Sequence, residues 1–220
     1  MRPRIALIGA AVGAFASLAA SGALAAEFFS QDFSGALGAN ESVFGRFVVH
    51  DGVVGHQTSY FNNEYSYYQF TVDLTNATSA LLSFDYSIVL ERDYDRFNVL
   101  ASTGGFSPPG GLIYPLSGMT YSTSNITYAP HLGVVALADS ATGTAVFDLG
   151  AFVGGAVNLR LQFGSDSSGT RQGVSIDNVE VAGDAVVTTS SAPEPQVWAL
   201  MLAGFFAAGS ALRRRGSIPV

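Results

Sequence analysis

The chain has 220 residues, 48% apolar and 12% charged, with no cysteine and a net charge of −7. It is too apolar and too aromatic (16 Phe, 9 Tyr) to be disordered. The absence of cysteine excludes disulfide scaffolds, thiolate metal sites and cysteine nucleophiles. Five of the ten arginines lie at the extreme ends, and between residues 26 and 192 five Arg face sixteen acids, a balance of −11. That argues against a nucleic-acid partner, because phosphate binding needs a basic patch.

Residues 1–26 read as a secretory signal helix. Arg2 and Arg4 give a basic start, Ile5 to Ala20 an apolar run, and Ala23-Leu24-Ala25 a small-x-small cleavage site. Cleavage is expected after Ala25 or one residue later, which implies the Sec export machinery and signal peptidase as partners. An exported chain without cysteine must hold itself by core burial or by metal.

Residues 27–185 read as one all-β domain. Tyr68, Phe70, Val72 and Leu74 alternate with Gln69, Thr71 and Asp73. Leu82, Phe84, Tyr86, Ile88 and Leu90 do the same, as do Val157, Leu159, Leu161 and Phe163 against Asn158, Arg160 and Gln162. Period two over this length marks half-buried strands. Shorter candidates are Phe28–Phe33, Val43–Val49, Arg96–Ala101, Thr144–Leu149 and Gly173–Val181. In the last, Val174 and Ile176 are out of phase with Val179 and Val181. Either a β-bulge at Asp177-Asn178 restores the phase, or the strand is covered on both faces. Many short strands, punctuated by 25 Gly and 8 Pro and lacking crossover helices, imply an antiparallel β-sandwich of jelly-roll type.

Candidate chemistry is sparse. Glu91-Arg92-Asp93-Tyr94-Asp95-Arg96 is the densest charged run. In an extended chain Glu91, Asp93 and Asp95 would point one way and offer hard oxygens to calcium. The alternative is a solvated loop whose acids pair with Arg92, Arg96 or Arg171. Asp166 and Asp177 are second candidates, with Asp32 joining Asp177 if the first and last strands are neighbours. Structural calcium, at Asp93 and Asp95 or at Asp32 and Asp177, is thus the one cofactor considered. His50, His56 and His131 lack zinc-ligand spacing and read as surface or packing residues. No Gly-x-Ser-x-Gly elbow occurs. The stretch from Tyr60 to Tyr68 is rich in rings, Asn and Glu, which suits sugar binding. Tyr65 and Tyr67 are the candidate carbohydrate contacts, whereas Tyr68 reads as core.

The segment Gly164-Ser165-Asp166-Ser167-Ser168-Gly169, followed by Gly173 to Val179, resembles the closing strand pair of secreted MAM-like and galactose-binding-like jelly rolls. That resemblance implies a jelly roll rather than an immunoglobulin-like sandwich, and a structural calcium between first and last strands.

Residues 186–192 form a small polar linker. After it come Pro193-Glu194-Pro195, the apolar run 197–212 and Arg213-Arg214-Arg215. Sixteen apolar residues reach about 24 Å as a helix, slightly short of a bilayer core of about 30 Å. The arginines suit the cytoplasmic side. The order of these parts over residues 193–216 resembles the PEP-CTERM sorting signal of Gram-negative bacteria. The resemblance implies an exosortase as partner, a transient inner-membrane anchor through a transmembrane helix at 197–212, and delivery to the cell surface or outside. It also implies association with exopolysaccharide and biofilm. The expectation is an exported, non-enzymatic surface or matrix protein. A carbohydrate-binding module for extracellular polysaccharide and a secreted glycoside hydrolase are the alternatives.

Overall fold

The three alternating segments become three nine-residue strands, and around them the rest of the domain arranges itself. The structure is a computed structural model that describes residues 23–106, 111–122, 132, 135–186 and 199–206. The domain, Gly22–Val186, is built of β1 (Ala23–Gln31), β2 (Glu41–Phe44), β3 (Phe47–His50), β4 (Val53–His56), β5 (Tyr65–Asp73), β6 (Leu81–Val89), β7 (Arg96–Ser102), β8 (Pro115–Ser117), β9 (Ala141–Asp148), β10 (Ala156–Gly164) and β11 (Gly173–Val186). A short 3-10 turn at Gly150–Phe152 links β9 to β10.

Two antiparallel sheets face each other. One has seven strands in the order β3-β4-β11-β6-β9-β8, with β1 also on β11; the other has four, β2-β5-β10-β7. Period two sends one set of side chains from each strand inward. Tyr68, Phe70 and Val72 of β5 and Val157, Leu159, Leu161 and Phe163 of β10 meet Leu82, Phe84 and Ile88 of β6 and Phe147 of β9 in one core. Phe84 stacks on Phe147 with centroids 5.8 Å apart.

β11 serves two neighbours along one edge. Its first half pairs with β4 through Ser175 and Ile176, and its second half pairs with β1 from Val179 to Val186. On its other edge β6 runs along both halves, with a register shift between Asp177 and Glu180. Asn178 adopts φ 49° there. The phase reversal is therefore resolved by a bulge, and Val174, Ile176, Val179 and Val181 are all buried.

Three expectations are corrected. The run Val43–Val49 is not one strand: Gly45, at φ +73°, turns the chain so that β2 and β3 lie in different sheets. A Cβ on Gly45 would collide with the Tyr65 carbonyl, so a side chain there is excluded. Residues 23–26 are strand rather than the end of a helix, with Ala23 opposite Val186 and Ala26 opposite Gly183. The acidic run at 91–95 is a turn rather than extended chain. Of the apolar run 197–212, residues 199–206 are helical and exposed. Among the described residues no helix is long and apolar enough to cross a membrane. The signal segment 1–22 and the sorting residues Pro193, Glu194, Pro195, Arg213, Arg214 and Arg215 lie outside the described residues.

Candidate functional site

The turn at 91–95 is closed by Tyr94 and Asp95 N–H groups donating to the Glu91 carbonyl, at 3.3 and 3.1 Å. Asp93 takes φ 67°, and its carboxylate leaves the cluster. Its place is taken by Asp166, because β10 pairs with β7 so that Gly164 lies opposite Arg96. Carboxylate oxygens of Glu91, Asp95 and Asp166 lie within 4.8 Å of one another.

Asp95 is fully buried and accepts three bonds: from the Tyr60 hydroxyl, from the Asp166 N–H at 3.0 Å and from the Glu91 N–H at 3.3 Å. Burial pushes its carboxyl above the usual range despite those bonds. Burial, and then the Asp95 carboxylate, push the Tyr60 phenol up as well. Glu91 Oε2 is buried with no hydrogen-bond partner. Gly169, at φ +74°, passes so close to Glu91 Oε2 that a Cβ would overlap it. Three converging carboxylates, one of them with an unsatisfied oxygen, form a set of hard donors suited to calcium rather than to a thiophilic metal.

The other proposed ligands lie apart from this cluster. Asp32 is exposed and accepts from the Ser34 N–H and hydroxyl at 3.0 and 2.8 Å, which hold its carboxyl low. Asp177 sits at the bulge opposite Asp85 and accepts from the Asn178 N–H at 2.7 Å. Among the described residues, Glu91, Asp95 and Asp166 are the one group of three close enough to share an ion.

His56 is a packing residue. Its Nδ1 accepts from the Val174 N–H at 2.9 Å, so Nε2 carries the proton and donates to Glu64 Oε1 at 2.7 Å. Burial raises the Glu64 carboxyl, but bonds from His56, Ser66 and the Phe61 N–H outweigh it and hold it below the usual range. His50 lies beside the exposed Asp51, and His131 falls outside the described residues.

The second candidate is the outer face of the four-stranded sheet. Tyr65 and Tyr67 are half-buried there on β5, next to Gln69 and Thr71. Across the strands runs a continuous stack. Phe44 of β2 lies on Tyr67 at 5.0 Å and 13°, and the Arg160 guanidinium of β10 lies over Tyr67 at 4.1 Å. Phe106 lies over the same guanidinium at 4.2 Å. Tyr67 thus has both ring faces covered, whereas Phe44, on the edge strand, is 52% exposed. Tyr65 donates to Gln162 Oε1 at 2.8 Å and packs on Tyr67 at 5.6 Å. Sequence reasoning singled out Tyr65 and Tyr67 but not Arg160 or Phe44, which reach them only through strand pairing.

Residues 58–210 match the family model described as Immune inhibitor A-like, MAM domain. The chain belongs to the Immune inhibitor A-like MAM family. The expected MAM-like sandwich is therefore correct, and within this MAM domain the matched region contains Tyr65, Tyr67, Glu91, Asp95, Arg160 and Asp166. No curated protein matches. Among solved structures, the K3 cleaved adhesin domain of Lys-gingipain from Porphyromonas gingivalis W83 is 16% identical, with a TM-score of 0.43, covering 72% of this chain and 99% of its own. The K1 domain of the same protein is 15% identical, with a TM-score of 0.42, covering 70% of this chain and 96% of its own. The CBM2 module of the evolved Dit of Lactobacillus casei BL23 phage J-1 is 9% identical, with a TM-score of 0.43, covering 75% of this chain and 98% of its own.

Proposed function

We propose that this MAM domain is an exported, non-enzymatic protein of the cell surface or extracellular matrix that binds extracellular polysaccharide. The observation that carries the reading is the ring-bearing outer face of the four-stranded sheet. A protein exposing an aromatic ring beside Tyr65, Tyr67, Gln69 and an arginine offers what a sugar needs: an apolar surface for the C–H face of a pyranose and polar groups for its hydroxyls. With Tyr67 enclosed between Phe44 and Arg160, the face open to stacking is that of Phe44. Tyr65 and Tyr67 shape the platform, the Tyr65 hydroxyl being bonded to Gln162 and Arg160.

Phe44→Ala and Tyr67→Ala are each expected to weaken binding to a responsive polysaccharide about tenfold or more, with an unchanged fold. Titration of both variants against a bacterial polysaccharide panel checks this. Wild-type protein that binds nothing across the panel would remove the reading.

Calcium held by Glu91, Asp95 and Asp166 would stiffen the loops at the end of the sandwich where β5 begins. Ser165 already clips that end, accepting from the Glu64 N–H at 2.9 Å and donating to the Phe61 carbonyl at 2.6 Å. Delivery rests on the two terminal signals: Sec export, then an inner-membrane stage, then recognition of Pro193-Glu194-Pro195, the apolar run and Arg213–Arg215 by an exosortase. In the native host, mass spectrometry of the surface fraction should find a C-terminus near Pro193–Pro195 and an N-terminus near Ala26. A full-length, unprocessed cytosolic chain would refute the sorting proposal and leave the sheet-face proposal intact.

A further inference from the structure

The polar groups on the outer face of the four-stranded sheet have their acceptors turned inward. Gln69 Oε1 is taken by Arg160 Nε and Nη2, at 3.0 and 2.6 Å. Gln162 Oε1 is taken by Tyr65, and Asn158 Oδ1 by the Thr71 hydroxyl at 2.7 Å. The donors remain. Arg160 gives a third bond from Nη1 to the Tyr65 hydroxyl at 3.2 Å, and a guanidinium has five N–H groups, so Nη1 and Nη2 each keep one. Gln69 Nε2 keeps both of its own, and Asn158 Nδ2 spends one N–H on the Gly104 carbonyl.

Among the described residues Arg160 also forms no ion pair with a carboxylate. Among the described residues the arginine ion pairs are Arg46–Glu64 and Arg92–Asp139. On the outer row of β5 the acid is Asp73, four residues beyond Gln69, which lies opposite Arg160, and so about 13 Å away along the strands. Its carboxylate accepts from the Thr75 N–H and hydroxyl. A domain that is acidic elsewhere therefore carries here a cation with no acidic partner among the described residues, flattened between two rings and beside amide donors. Rings on both faces fix the guanidinium plane and leave its edge as the reactive side, which is the geometry in which arginine recognises carboxylate.

We propose that the polysaccharide bound on this face is a polyuronate, with Arg160 receiving the sugar carboxylate and Gln69 assisting. This rests on the polysaccharide reading above. The test is calorimetric titration of the domain with polygalacturonate, dextran and dextran sulfate, all in EDTA so that calcium cannot bridge carboxylates to the protein. Polygalacturonate is expected to bind at least tenfold tighter than either of the others. Arg160→Gln should lower its affinity about tenfold or more, the range of a charge-assisted hydrogen bond. Gln69→Glu, which gives Arg160 a carboxylate of its own, should lower it similarly without touching the arginine. Arg92→Gln removes an equal charge elsewhere and should stay within twofold. Melting curves of the variants establish that each is folded.

Binding of polygalacturonate that survives both Arg160→Gln and Gln69→Glu overturns the inference, as does tighter binding of dextran sulfate. Dextran binding as tight as polygalacturonate, abolished by Tyr67→Ala, overturns it while sparing the polysaccharide reading. Binding of no polymer removes both.

Discussion

Asp95→Ala should be the most damaging single change at the acidic cluster. It strips the acceptor from the Asp166 N–H and breaks the knot around the Tyr60 hydroxyl, which keeps only the Gly169 carbonyl at 3.2 Å while the Glu91 N–H keeps only the Tyr60 hydroxyl at 3.1 Å. Leaving one buried donor unpaired costs about 1–3 kcal/mol, so a loss of about 1–3 kcal/mol is expected in a urea melt. The wild-type domain should respond to calcium, and the variant should not. With free calcium at about one hundred times its dissociation constant the gain is about 2.7 kcal/mol, or about 5–10 °C in a domain of this size. Superimposed wild-type melts in millimolar calcium and in EDTA would remove calcium from the account.

The same residue sets a pH dependence. The Asp95 carboxyl is raised in the fold, chiefly by burial. A raised carboxyl gives its stability fully below the unfolded value near 4 and loses it as pH rises through the folded value. In EDTA the wild type should therefore lose stability, relative to Asp95→Asn, as pH climbs from about 4 towards neutrality. Calcium, which binds the ionised form, should reverse that loss. A difference between the two proteins that stays flat with pH would contradict the assignment to Asp95.

Phe163→Ala carries the largest expected effect in the core. The ring is fully buried on β10, with centroids 4.9 Å from His56 and 4.8 Å from Tyr60. Truncation removes about 3–5 kcal/mol through lost transfer energy and the cavity left behind. It also removes the wall against which His56 and Tyr60 are held, so the calcium response should weaken along with stability. Denaturant titration should show a lower midpoint with an unchanged slope. A loss below about 1 kcal/mol would mean that the site collapses around the gap.

The parts of this fold that were legible in the sequence are those where one physical signal acts alone. β5, β6 and β10 alternate without interruption because each has one face in the core and one outside. β11 shows its phase break in the sequence, which leaves a bulge and a strand covered on both faces equally open; only the register shift between Asp177 and Glu180 decides for the bulge. β2 and β3 look like one strand in the sequence because Phe44 and Phe47 are both strand-like. The corner lies in the conformation of Gly45, which the alternation does not record. β8 is three residues long and begins with proline, too short for any period to register.

The candidate sites divide the same way. Tyr65 and Tyr67 were visible because outward positions follow from alternation on their own strand. Arg160 became relevant only when β10 paired with β5 and set it opposite Gln69. Asp95 was visible as part of a local acidic run. An extended run would place Asp93 beside Asp95, but the turn takes its carboxylate out of the cluster. Asp166 enters from 71 residues further along the chain, through the register of β10 on β7. Local spacing describes what neighbours in sequence can do; a cluster gathered across a sheet is a property of pairing.

The pairing of Ala26 with Gly183, which cleavage after Ala25 would leave in place, puts entry to and exit from the domain at one end. Asp73, the end of β5, lies toward that same end, since the bridge between Ala77 and Ala185 joins the following turn to it. The Tyr65 end lies about 25 Å away at the extended rise per residue. A pull between a tail-held Val186 and a polymer gripped near Tyr65 would run nearly parallel to the strands. The ladder rungs of β11 would then be loaded together, in shear, rather than opened one after another like a zip. A domain loaded in that way would share tension across many weak links.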